Sequence, residues 1–218
     1  AEKLLRAEVE ASWKNTARII AHGIKNILSP TKVALHNLRN TESPQNAEEE
    51  IKSINSEIGK LEEIANDFST FARSPDIRPV LINIKKVAQD AMQLAGKRHP
   101  DVKQEIDVPD DIYLETDYEI LRSLLVNLLK NSMEAVTTDG RVEITAFKDE
   151  GGVTLRIKDN GIGVPEEYAG KVWIPYYTTK PQGTGLGLPI ARKFADVLGA
   201  ELTLESNKDG TTVTIEFG

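Results

Sequence analysis

Trp173-Ile174-Pro175-Tyr176-Tyr177-Thr178-Thr179-Lys180, followed closely by Gly183-Thr184-Gly185-Leu186-Gly187-Leu188, reads as a loop that covers phosphates and ends in a helix. Lys180 brings a cation and Thr178 and Thr179 bring hydroxyls, all suited to phosphate oxygens. Gly183, Gly185 and Gly187 let backbone amides at a helix N-terminus face anionic charge. The connection from Val164 to Thr184 runs to about twenty residues, longer than an ordinary link between elements, which marks it as functional. Trp173, Pro175 and Tyr176 give this lid an apolar part able to dock when nucleotide is present.

Two stretches upstream complete the set. Asp159-Asn160-Gly161-Ile162-Gly163 follows a strand directly, and its glycines permit turns and close ligand approach that a Cβ would block. Asp159, at the strand end, is positioned to hydrogen-bond an adenine amino group, although a solitary turn aspartate would read as merely solvated. Asn127 and Asn131 stand one helical turn apart on a helix otherwise carrying Leu124, Leu125, Leu128 and Leu129. Mg²⁺ takes oxygen ligands and keeps waters and substrate phosphates, so Asn131 offers it a carbonyl oxygen. A single amide there would read as a cap or an inter-helix bond; a pair reads better as a site.

The periodicity divides the chain. Trp13, Ala17, Ile20, Ile24, Ile27, Thr31, Ala34 and Leu38 recur at alternating spacings of four and three, and Ile51, Ile54, Ile58, Leu61, Ala65, Phe68 and Ala72 resume after the turn-rich 40–46. Residues 1–75 are therefore expected to form an antiparallel helical hairpin. Two helices cannot enclose so long an apolar seam, which predicts a homodimer closing a four-helix bundle. Pro30 lacks the amide for a helix hydrogen bond and is expected to bend the first helix. Ser74 to Pro79 has two prolines and no period; residues 76–79 are assigned as linker and 80–218 as a second domain.

In that second domain a helix is expected over Ile84–Leu94, strands around Lys103–Val108 and Ile112–Glu115, and a long helix capped by Asp117 and running through Val136. The period then becomes two over Arg141–Lys148 and Val153–Lys158, and again over Glu201–Glu205 and Thr211–Phe217, with one helix, Leu186–Leu198, between the pairs. The expected class is α+β: the hairpin followed by an α/β sandwich with a mixed sheet under helices.

Composition narrows the partners. With 27 Lys plus Arg against 34 Asp plus Glu, the net charge of −7 disfavours nucleic acid or an anionic membrane as principal partner. No cysteine is present, which excludes a disulfide framework, a thiolate nucleophile and Cys-ligated zinc, and is compatible with the cytosol. No run approaches the roughly 20 apolar residues of a membrane span. A helical pattern that starts almost at residue 1 is expected to continue a longer, membrane-attached protein of which this is the cytosolic part.

These motifs, in this order, resemble the Bergerat-fold ATPase domain of the GHKL superfamily, specifically that of sensor histidine kinases of two-component systems. NLLKNSMEA resembles their N box, DNGIG the first glycine box, WIPYYTTK the F box and GTGLGL the second glycine box, while Gly210-Thr211 resembles a further element on the last strands. The resemblance implies ATP and Mg²⁺ as cofactors, with Asn131 on the metal and Asp159 selecting adenine. It further implies Asn127, Gly161, Gly163, Tyr177, Thr178, Thr179, Lys180, Gly183, Gly185, Leu186, Gly187 and Thr211 around the nucleotide.

The hairpin separates a kinase from other ATPases of that superfamily. His22 falls on the face opposite the seam, and Ala21-His22-Gly23-Ile24-Lys25-Asn26-Ile27-Leu28-Ser29-Pro30 resembles the family's H box, the phosphoryl acceptor. His36 and His99 read as ordinary surface histidines. The resemblance implies an autophosphorylating transferase in signal transduction that passes phosphoryl from His22 to an aspartate of a response-regulator receiver domain. Asn26 matches a position that in relatives orients water for dephosphorylating that partner. Gly23 stands where the family usually has an acid, and Ile27 where it commonly has proline. A second reading therefore stands beside the first: a nucleotide-binding scaffold or phosphatase-biased variant with weak autokinase activity.

Overall fold

The structure, a computed structural model, describes residues 24–25, 27–41, 43–72, 76–180 and 183–218. His22, Gly23, Asn26 and the seam positions Trp13, Ala17 and Ile20 lie outside the described residues, as do Ser74 and Pro75. The described chain divides into two compact units: the helices up to Ala72 together with Thr178–Thr184, and residues 73–177 with 185–218.

In the first unit, helix α1 (27–40) is followed by α2 (Pro44–Ala72). The turn is shorter than the seven polar residues suggest, because proline fits the first turn of a helix, where an amide would lack a partner anyway. Ala47 N bonds back to Ser43 O at 3.0 Å and opens α2. Pro30 sits inside α1 between two hydroxyls that bond back to the preceding turn, Ser29 Oγ to Lys25 O at 3.0 Å and Thr31 Oγ1 to Ile27 O at 2.8 Å. Ile27 and Ala34, seven residues apart, are buried. On α2, Ile54, Leu61 and Phe68 are half-buried, whereas Ile51, Ile58 and Ala65 are exposed. Asn37 Nδ2 donates to Glu50 Oε1 at 2.9 Å.

The second unit begins with a strand that periodicity did not reveal. β1 (Val80–Asn83) pairs antiparallel with β3 (Tyr113–Thr116). Between them lie α3 (Ile84–Gly96) and β2 (Lys103–Asp107). Asp117 then caps α4 (Tyr118–Ala135), its Oδ1 accepting from Ile120 N at 3.0 Å. After α4 come β4 (Arg141–Asp149), β5 (Gly152–Asp159), the short α5 (Glu166–Ala169), α6 (Gly187–Leu198), β6 (Ala200–Asn207) and β7 (Gly210–Phe217). The one-helix expectation between the strand pairs is corrected by α5, a single turn whose four residues are too few to show a period.

Five strands form one sheet in the order β2-β4-β5-β7-β6, with β2 parallel to β4 and the rest antiparallel. Alternation sends Val142, Ile144 and Ala146 of β4, Val153, Leu155 and Ile157 of β5, and Val213, Ile215 and Phe217 of β7 inward. α4 lies between α3 and α6 and against β4 and β5. Its broad apolar face is therefore buried, with Leu121, Leu124, Leu125, Leu128 and Leu129 inside. Each such side chain contributes about 1.5–3 kcal/mol by leaving water.

Candidate functional site

The sheet places the first group of candidate residues by register. Alternation along β5 that turns 153, 155 and 157 inward also turns Asp159 inward, so a carboxylate closes an apolar row and is only 4% exposed. Asp159 pairs with Thr211 of β7, and Thr211 pairs with Ser206 of β6. Three polar residues thus stand side by side at one end of the helix-covered face. Asp159 Oδ1 accepts from Gly161 N at 2.9 Å and from Thr211 N at 3.1 Å. Oδ2 is left without a donor among the described residues. Ser206 was not among the sequence candidates, although Leu202 and Leu204 begin an alternation that ends on it.

The glycine loop is locked to this row. Gly163 has φ +68, and a Cβ on it would lie 1.8 Å from Asn207 O, so only glycine lets the loop cross β6 so closely. Val164 N then donates to Ser206 Oγ at 2.7 Å. On the other side Ile162 N bonds Ala135 O at 3.1 Å, fixing the loop to the end of α4.

On α4, the two asparagines have different surroundings. Asn127 Nδ2 donates to Ser123 O of its own helix at 2.9 Å. Asn131 Nδ2 is buried with no partner among the described residues. A Cβ on Gly187 would stand 3.0 Å from Asn131 Nδ2 and 3.2 Å from its Oδ1, so a side chain there would crowd the amide. Asn131 therefore faces the opening turn of α6, whose N-cap residue Leu186 makes no side-chain capping bond. An amide oxygen and the start of a helix meet at one place, and that arrangement fits a divalent cation carried by phosphates.

The lid's base also belongs to this unit. Tyr176 N donates to Gly185 O at 2.8 Å, with Tyr176 at φ +66, a conformation that costs a non-glycine residue about 1–3 kcal/mol and tends to occur at functional sites. The Arg192 guanidinium of α6 stacks 5.4 Å from the Trp173 ring centre, and the Tyr177 ring lies 6.0 Å from that of Tyr168.

Asn127, Asn131, Asp159, Gly161, Gly163, Tyr177, Gly185, Leu186, Gly187 and Thr211 share one compact unit. Thr178, Thr179, Lys180 and Gly183 are grouped with the helices of the first unit instead. There, Thr178 Oγ1 accepts from Lys180 N at 3.0 Å, and Thr184 Oγ1 donates to Asp67 Oδ2 at 3.0 Å. His22 and Asn26 lie outside the described residues. Among the described residues no group of three or more His, Asp or Glu side chains is arranged to hold a metal, and no helix is long and apolar enough to cross a membrane.

The chain is similar to known proteins. The family of histidine kinase-, DNA gyrase B- and HSP90-like ATPases matches residues 116–218. Nitrogen regulation protein NtrY of Azorhizobium caulinodans is 29% identical over 95% of this chain, and sporulation kinase E of Bacillus subtilis is 30% identical over 97%. The chain spans 29% of the length of either relative. Histidine kinase ThkA, in the crystal structure of its complex with response regulator protein TrrA, has the same fold over 97% of this chain and 63% of its own, with TM-score 0.81 and 23% identity.

Proposed function

We propose, from the premise that this chain belongs to the sensor histidine kinases and carries in residues 116–218 an ATPase domain of the histidine kinase, gyrase B and HSP90 type, that it is the core of an ATP-dependent protein-histidine kinase. His22 is its phosphoacceptor, and an aspartate of a response-regulator receiver domain takes the phosphoryl group onward. The observation that carries the nucleotide half is Asp159, buried and fixed through Oδ1 by two backbone amides, which leaves Oδ2 available for an adenine amino group.

The residues divide the work. Asp159 orients the base, and the α6 N-terminus receives phosphate oxygens on its backbone amides. Asn131 offers its Oδ1 to Mg²⁺, whose role when bound is to neutralise phosphate charge. Lys180, with Thr178 and Thr179, meets the terminal phosphates. The neutral imidazole of His22 uses a nitrogen lone pair to attack the γ-phosphorus; an N–P bond forms as the bond to the ADP oxygen breaks, and the ring's other nitrogen must then release its proton. Where the family usually has an acid to accept that proton, this chain has Gly23. That residue favours the second reading, a scaffold or phosphatase-biased variant in which Asn26 orients water and autophosphorylation is slow. Homodimerisation through the hairpin and a cytoplasmic location, where ATP is at hand, complete the proposal.

Incubation with γ-labelled ATP and Mg²⁺ tests it. Acid-labile, base-stable label on the chain, absent from His22→Gln, is expected. Nucleotide binding without label would favour the scaffold. Gly23→Glu should raise the labelling rate if the missing acid limits transfer.

A further inference from the structure

Ser206 Oγ touches three groups at the edge of the candidate adenine pocket. It accepts from Val164 N at 2.7 Å, reaches Gly210 O at 3.1 Å and lies 2.9 Å from Thr211 Oγ1. A hydroxyl has one proton to give. The Val164 amide can only donate and the Gly210 carbonyl can only accept, so the Ser206 proton goes to Gly210 O. In the contact between the two hydroxyls Thr211 is then the donor, and its proton points at Ser206. What Thr211 Oγ1 retains for any ligand is lone pairs alone.

Its neighbour in the row has the same polarity. Asp159 spends Oδ1 on two backbone amides and keeps Oδ2, again an acceptor. The paired register Asp159–Thr211–Ser206 across β5, β7 and β6 thus presents acceptors and no donor. We infer that Ser206 is a specificity-determining positioning residue, which holds the Thr211 hydroxyl as an acceptor so that the pocket takes a 6-aminopurine and rejects a 6-oxopurine. This inference rests on the reading of the site as an ATP site. A 6-amino group brings two hydrogens to these acceptors, whereas a 6-oxo oxygen meets lone pairs from both sides. Without Ser206 the Thr211 hydroxyl loses its acceptor, turns, and offers its proton to a 6-oxo group.

The test compares binding of ADP and IDP to the full chain by isothermal titration. These ligands differ only at the edge of the base that the row would read. The unaltered chain is expected to prefer ADP. Ser206→Ala should narrow that preference by roughly 5- to 10-fold, the worth of one hydrogen bond gained or lost. Ser206→Thr keeps the hydroxyl and should retain the preference. Thr211→Val is isosteric and leaves the bonds from Val164 and to Gly210 in place; it should narrow the same ratio even if Ser206→Ala fails to fold. Equal weakening of both nucleotides in Ser206→Ala and Thr211→Val would make Ser206 a structural residue only and overturn the inference, leaving the ATP site intact. Failure of the unaltered chain to bind ADP would instead overturn the reading beneath it, and the inference with it.

Discussion

Gly163 and Asn131 show how little room separates structure from ligand in this domain. At Gly163 the left-handed φ and the Asn207 carbonyl both exclude a side chain. Gly163→Ala must open the loop away from β6 and break the Val164–Ser206 bond. Strain of this kind costs about 1–3 kcal/mol, so a lower melting temperature and an ADP affinity reduced by about tenfold or more are expected. An unchanged titration curve would mean that the loop's approach to β6 is irrelevant to the nucleotide. Asn131 calls for a different measurement, since its amide is proposed to act through the cation. Asn131→Ala should weaken nucleotide binding in Mg²⁺ by about tenfold while leaving binding in EDTA nearly unaltered. Equal losses under both conditions would assign Asn131 to packing against Gly187.

Among the elements, α4 is tied at its start to two others. Asp117 Oδ1 caps the helix while Oδ2 accepts Arg78 N at 2.8 Å, so one buried carboxylate both begins α4 and anchors the chain entering β1. Asp117→Ala should cost about 1–2 kcal/mol in denaturant unfolding and speed hydrogen exchange at the Arg78 amide; protection unchanged at Arg78 would leave Asp117 as a cap only. At the next residue α4 meets α3: Lys86 Nζ, 2.7 Å from Asp90 Oδ1, and the Tyr118 hydroxyl on Oδ2 hold the Asp90 carboxyl below the ordinary carboxylate range, outweighing its desolvation. Because the folded value is depressed, the stabilisation is complete above the unfolded value of about 3.9 and fades as pH falls through the folded one. Tyr118→Phe should raise the Asp90 pKa toward the ordinary range by NMR titration, and its stability deficit should be present at neutral pH and vanish in acid. An unmoved titration would show that the Lys86 and Arg122 charges hold the carboxyl without the hydroxyl. The helices α3, α4 and α6 were legible because their apolar period is local. β1 was not, because Val80-Leu81-Ile82 is too short to display alternation and becomes a strand only by pairing with β3, some thirty residues on. Ser206 escaped notice for the same reason: its role arises from cross-strand register, whereas Asp159, Gly161 and Gly163 announce themselves by spacing.

For the whole molecule, the grouping of Thr178–Thr184 with the helices had no local signature, since contacts between residues a hundred positions apart leave no period in the chain. The hairpin's seam did have one, and the structure sharpens it. In α2 the seam splits into two rows with a seven-residue repeat: Ile54, Leu61 and Phe68 are half-buried within one chain, while Ile51, Ile58 and Ala65 stay open, Ile51 and Ile58 at 46% and 44% exposure. A coiled-coil seam packs both of its rows against neighbouring helices, and here one row stays open. One hairpin supplies one neighbour, and the proposed second copy would place the same apolar repeat opposite itself, as a two-fold bundle requires. Ile58→Glu puts a charge in the middle of the open row and is expected to convert a dimeric mass in sedimentation to a monomeric one, and to abolish any rise in melting temperature with protein concentration. Asn55→Glu, an exposed position on the same helix outside both rows, adds the same charge and should leave the dimer unchanged. A monomeric unaltered chain at micromolar concentration, or equal effects of the two substitutions, would show that the open row is not a subunit contact; dissociation by Ile58→Glu alone would make α2 the element through which one chain recognises another.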